Sequence, residues 1–258
     1  MIRVAAVGDV HVGRDSRDRL RPHLKHLPER ADLFLVAGDL TRRGLPEEAE
    51  VLAEELREVA DAVPTFAVLG NHDFESGREQ EVVEVLAGVD VQVLEGEAMV
   101  VAVDGTTVGI AGAKGFGGGF PGASGSEFGE PEMKAFMRHS AEAAGRLDAA
   151  LAKIAGEDVR IALMHYSPTE DTLDGERLEI YPFLGSYFLA EVLDRHAPDL
   201  ALHGHAHAGS EKGLTAGGVC VRNVAQPVLG RAYATFCLDR GRGDVACEDA
   251  TATGETGA

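Results

Sequence analysis

Short apolar runs alternate with longer stretches of helical periodicity along this chain. Residues 2–7, 32–37 and 65–69 read as buried strands, each closing in a polar or glycine-containing turn. Between the last two, residues 45–62 have helical spacing, with Pro46 in the first turn and Glu47 and Glu48 beside it, all helix-start signals. A second helix is expected over 79–87. This strand–helix–strand rhythm predicts crossover connections and a largely parallel or mixed sheet. Residues 91–94, 98–103 and 106–112 read as consecutive strands, the last two joined at Asp104-Gly105 as a hairpin.

Further on, residues 114–129 are rich in glycine and read as a mobile loop or flap that carries Phe116 and Phe120 and helps set specificity. A helix follows over 132–155, weakened near Gly145. The strand 159–164 leads into a long loop, and a helix covers 185–196. Strands are then expected at 199–202, 219–224 and 232–238. The tail from 248 to 258 has the composition of a disordered segment, which leaves 1–247 as one domain.

Composition narrows the functional classes. At 258 residues, 45% apolar and 26% charged, the chain is long enough for a substantial core and is globular in character. No apolar run approaches the roughly 20 residues of a membrane helix. The first residues read as a strand rather than a leader, and the expected location is the cytoplasm. The net charge of −19 repels polyanions, which disfavours a broad nucleic-acid surface. Arg14, Arg17, Arg19, Arg21 and Lys25 read as a solvated helix face offset by Asp15 and Asp18. Cys220, Cys237 and Cys247 lack metal-ligand spacing and read as buried reduced thiols.

The chemistry gathers where strands end. Asp9-Val10-His11, Gly38-Asp39, Gly70-Asn71-His72-Asp73, His165 and Gly204-His205-Ala206-His207 each follow an apolar run. Loops beyond the carboxyl ends of strands are where open α/β sheets hold ligands, so the five clusters can converge. Imidazoles, carboxylates and one amide, without a thiolate, suit manganese, iron, zinc or a similar divalent ion. Each cluster alone is weak evidence; their order and context carry the reading.

That ordered series (DxH, GDL, GNHD, a lone histidine, GHxH) resembles the calcineurin-like metallophosphoesterase superfamily, over residues 9 to 207. The resemblance implies a four-layer α/β/β/α sandwich with two mixed sheets. It further implies one metal held by Asp9, His11 and His207, a second by Asn71, His165 and His205, and Asp39 bridging them. His72 takes the role of the catalytic residue that stabilises the transition state or protonates the leaving group, with Asp73 or another carboxylate orienting it. Two cations about 3.5–4 Å apart need a bridging anion, and a hydroxide between them becomes an in-line nucleophile at phosphorus. No protein nucleophile is then required.

Gly38-Asp39-Leu40-Thr41-Arg42-Arg43-Gly44 also resembles the GDxxDRG segment of phosphoprotein phosphatases, which makes Arg43 a candidate phosphate contact. Arg42 stands where those enzymes have an aspartate that supports the catalytic histidine. Tyr166 is a further substrate-binding candidate, because it follows His165 at the head of the 166–181 loop. The expected substrate is a small phosphoester, with a diester placed before a monoester on resemblance to small bacterial phosphodiesterase-like members. The alternatives are a phosphoprotein phosphatase, a nuclease, or a non-enzymatic scaffold on the same fold.

Overall fold

A computed structural model describes residues 1–239 and the backbone of 242–245. The chain opens with β1 (Ile2–Val7), followed by the short helices α1 (Arg21–Leu24) and α2 (Leu27–Arg30). Then come β2 (Leu33–Ala37), α3 (Pro46–Ala60), β3 (Thr65–Val68), α4 (Glu79–Ala87) and β4 (Val91–Val93). The hairpin β5 (Glu97–Val103) and β6 (Thr106–Gly112) turns at Asp104-Gly105, where both residues have positive φ (48° and 80°) as a tight primed turn requires. A two-residue hairpin, β7 (Gly119–Phe120) and β8 (Ala123–Ser124), precedes α5 (Pro131–Lys153) and β9 (Val159–Leu163). The rest is α6 (Tyr181–Leu184), α7 (Tyr187–His196), β10 (Leu200–His203), β11 (Lys212–Leu214), β12 (Cys220–Asn223), α8 (Gln226–Leu229), β13 (Ala234–Asp239) and β14 (Arg242–Val245).

The strands form two six-stranded mixed sheets, ordered β14-β13-β1-β2-β3-β4 and β11-β12-β10-β9-β6-β5. Within the first, β1 to β4 are parallel and β13 is antiparallel to β1. Side-chain alternation explains why the strands read as unbroken apolar runs. Val4, Ala6, Leu33, Leu35, Phe66 and Val68 face Val108, Ile110, Ile161, Leu163, Leu200 and Leu202 of the second sheet. Their neighbours Ala5, Val7, Phe34, Val36 and Ala67 face the other way, onto Leu24, Leu52, Leu56 and Leu86 of the first helical layer. On the far side, Ala111, Ala162 and Ala201 pack against Leu147, Leu151, Leu189 and Leu193. The result is the expected α/β/β/α order, with helices covering the outer face of each sheet.

Several local expectations need correction. Helix α5 runs through Gly145 without a break. A mid-helix glycine costs about 1 kcal/mol, whereas burying Leu147 and Leu151 contributes roughly 1.5–3 kcal/mol each, so the helix persists. The glycine-rich segment is not a mobile flap at its start: residues 117–120 are buried, and the Gly118 and Gly119 N–H groups donate to the carbonyls of Pro182 and Gly185 at 2.7 and 3.0 Å. Glycines allow that backbone approach, since a Cβ on Gly117 would press on the Pro182 carbonyl. The basic cluster is not one helix face; Arg14 and Arg17 pair with Glu47 and Glu54 of α3, and Arg21 with Asp18. Cys220 is a free, half-buried thiol, but Cys237 is disulfide-bonded, which corrects the expectation of a reduced thiol there. The expected disordered tail, 248–258, lies outside the described residues, as does Cys247. Among the described residues no helix is long and apolar enough to cross a membrane.

Candidate metal centre

Beyond β1, β2 and β3 of one sheet and β9 and β10 of the other, the loops bring the five clusters to one place. Tight backbone packing makes this possible. A Cβ on Gly70 would collide with the backbone nitrogen and carboxylate of Asp39, and one on Gly204 with the carboxylate of Asp9. Four of the converging residues, Asp9, His11, Asp39 and His205, hold positive φ values of 59°, 43°, 48° and 69°. Left-handed backbone in non-glycine residues is costly and collects at functional sites.

The donor atoms fall into two groups. Asp9, His11, Asp39 and His207 place one atom each within 4.8 Å of the others, and so do Asp39, His165 and His205. Asp39 belongs to both. Its Oδ2 lies 3.7 Å from His11 Nε2, and its Oδ1 lies 3.4 Å from His165 Nε2. Asn71 joins the second group, with Oδ1 3.0 Å from His165 Nε2. In the first, His207 Nε2 is 2.8 Å from Asp9 Oδ1.

Hydrogen bonds and burial say what these atoms lack. His165 is fully buried and donates Nδ1–H to the Ala37 carbonyl at 2.9 Å. Burial pushes its imidazole down to about 3, so it is neutral and Nε2 is a bare lone pair. That lone pair faces the Asn71 and Asp39 oxygens, with no hydrogen available between them. His205 is likewise lowered to about 3 by burial, and its Nε2 is 3.2 Å from the Phe183 carbonyl, which frees Nδ1 for the cluster. Asp9 is raised to about 6, first by burial and also by the charge of Asp39, while the His207 hydrogen bond opposes the shift. Converging lone pairs and two buried carboxylates fit divalent cations, and a ring N–H tied to a backbone carbonyl is the usual support of a ligating histidine.

His72 stands at the rim, 39% exposed at its side chain, with Nε2 3.9 Å from Asp39 Oδ2. Its Nδ1–H donates to the Arg42 backbone carbonyl at 2.9 Å, so Nε2 faces the centre. The expected carboxylate support from Asp73 is absent. Asp73 is fully buried and accepts from the N–H groups of Leu40 (3.1 Å), Thr41 (2.8 Å) and Gly70 (2.8 Å) and from the Thr41 hydroxyl (2.6 Å). It stitches the Asp39 loop to the Asn71 loop, a role that motif reading did not reveal. Arg42, which replaces the supporting aspartate of the phosphoprotein phosphatases, supplies its carbonyl as the hydrogen-bond partner of His72 Nδ1, and the Glu75 carboxylate lies 3.8 Å from the same nitrogen.

Among the remaining candidates, Tyr166 lies against the centre, its ring 4.4 Å from that of His205, and burial pushes its phenol up to about 12. The Arg43 side chain is exposed and makes no hydrogen bond or ion pair to the cluster among the described residues. His203 is a satisfied core histidine, bonded to the Gly204 carbonyl and the Thr172 hydroxyl.

The calcineurin-like phosphoesterase family model matches residues 2–209, and the chain belongs to that family. Solved structures of the same fold include TT1561 of Thermus thermophilus, 21% identical with a TM-score of 0.57, covering 86% of this chain and 88% of that one. Another is the phosphopantetheinyl hydrolase PptH of Mycobacterium tuberculosis, 17% identical with a TM-score of 0.60 and the same coverage. No curated protein gives a significant match.

Proposed function

We propose that this protein is a two-metal phosphoesterase that hydrolyses a small phosphodiester or phosphomonoester. Asp9, His11 and His207 would hold one divalent ion, Asn71, His165 and His205 the other, and Asp39 both. The observation that carries the reading is the position of Asp39: its two carboxylate oxygens face different donor groups, at 3.7 Å from His11 and 3.4 Å from His165. Manganese, iron, zinc or a similar ion suits the nitrogen and oxygen donors.

Bound divalent ions would supply charge neutralisation at the phosphoryl oxygens and acidification of water near neutral pH. The chain's own part is separable. Fixed backbone bonds to Ala37 and Phe183 hold His165 and His205 as neutral donors. His72, with Nδ1 tied to Arg42, presents Nε2 beside Asp39 and delivers a proton to the departing alkoxide. Tyr166 walls the side of His205 and borders the substrate. The net charge of −19 supports a small substrate over a nucleic-acid strand.

The test is hydrolysis of bis-p-nitrophenyl phosphate and p-nitrophenyl phosphate with manganese, before and after chelation. Chelator-sensitive turnover of either ester is expected, with the diester preferred. Protein that binds metal but cleaves neither would favour the scaffold reading.

A further inference from the structure

The glycine-rich segment begins at Lys114, directly after β6, and that lysine is 8% exposed. Its ammonium nitrogen lies 4.9 Å from the centre of the Phe74 ring, 5.1 Å from Phe116 and 5.3 Å from Tyr166. These are cation–π distances, and three rings replace part of the lost hydration. They offer no acceptor for three N–H donors. Among the described residues no carboxylate comes within ion-pair distance of that nitrogen. Glu95, the acid whose charge acts on Lys114 most, is committed elsewhere: one oxygen to Arg146 at 3.1 Å, the other to the backbone N–H of Lys114 at 3.0 Å.

The position of this half-satisfied cation gives it meaning. Phe74 closes the turn that carries Asn71 and His72. Tyr166 touches both Lys114 and His205. The Lys114 carbonyl accepts from the N–H groups of His165 and Tyr166, at 3.0 and 3.1 Å. Lys114 is therefore held at the edge of the second donor group. A solvated surface lysine would carry its ammonium out to water; this one is boxed beside a site built for an anionic ester.

We propose that Lys114 is a substrate-contacting residue whose ammonium takes a non-bridging oxygen of the phosphoester, with Phe74, Phe116 and Tyr166 fixing its direction. This rests on the phosphoesterase reading above. A dianionic monoester gains more from the contact than a monoanionic diester, because more charge faces the same ammonium.

The experiment compares manganese-loaded wild type with Lys114→Met, which keeps the apolar stem among the rings, and Lys114→Gln. Metal content, steady-state hydrolysis of the two p-nitrophenyl esters and calorimetric binding of inorganic phosphate are measured on each. A hydrogen bond to a charged group corresponds to a fall of about tenfold or more in kcat/KM, with a similar loss of phosphate affinity. The fall is expected to be larger for the monoester, with metal content unchanged. Wild-type kcat/KM and phosphate affinity in a metal-replete variant would overturn the proposal. So would loss of metal in both neutral variants, which would make Lys114 a positioning residue for His165. If wild type cleaves neither ester, the phosphoesterase reading fails by itself. The phosphate titration then decides on Lys114: weaker binding in the variants supports it, and equal binding overturns it.

Discussion

Replacing Asp73 with alanine separates the architecture of the centre from its chemistry. The carboxylate is fully buried and accepts four hydrogen bonds, three from backbone N–H groups and one from the Thr41 hydroxyl. Alanine leaves all four donors without a partner in a site too tight to admit solvent freely. A buried donor left unsatisfied costs about 1–3 kcal/mol, and such costs within one network add incompletely. Four such donors in one shared network put the expected total at roughly 2–4 kcal/mol. Urea unfolding of metal-free protein, followed by circular dichroism, should show that loss as a lower midpoint with an unchanged slope. Metal-free protein is needed because bound ions would add their own stabilisation. The Asp39 and Asn71 loops lose their common tie, so manganese affinity should fall as well. A loss of stability below about 1 kcal/mol would refute the claim that Asp73 organises these loops.

His72→Ala should lower kcat by about 10²–10⁴-fold with metal content retained. The loss should be smaller for p-nitrophenyl esters than for alkyl esters, whose poorer leaving groups need the proton more; equal losses would exclude proton delivery. Far from the centre, Asp32 gives a pH test. Burial raises its carboxyl, but hydrogen bonds from Arg3 and that residue's charge outweigh burial and hold it below the ordinary carboxylate range. A group depressed in the folded state stabilises fully above its unfolded value, about 3.9, and loses that contribution as pH falls through the folded value. Asp32→Asn should therefore lower the urea midpoint near pH 6 and converge with wild type towards pH 3. A gap that stays constant over that range would contradict the assignment.

The sheet layers and the polar residues that gather past the strand ends were largely legible in the sequence for one reason. Strands buried on both faces leave long apolar runs, and the residues just past their ends are placed by topology alone. Asp9, Asp39, Asn71, His165 and His205 all sit in that position, which is why chain order sufficed to gather them. What escaped depends on contacts between distant segments. Asp73 lies in a recognisable motif, yet its partners Leu40 and Thr41 are more than thirty residues away. Lys114 heads the glycine-rich loop in the sequence, but Phe74 and Tyr166 come to surround its ammonium only in the fold. The glycine run suggests mobility, whereas Gly117, Gly118 and Gly119 at its start serve close packing against residues 182–185. Arg43 matched a phosphate-contact pattern, but the neighbouring Arg42 is the residue whose backbone reaches His72.

The claim that matters most is that one carboxylate, Asp39, joins two adjacent metals. Low-temperature electron paramagnetic resonance of protein loaded with manganese(II), beside Asp39→Asn, tests it directly. Wild type should take up two equivalents and give the multiline spectrum of an exchange-coupled pair, and the variant should lose that coupling. Isolated six-line manganese signals in wild type, or unchanged coupling in Asp39→Asn, would contradict it.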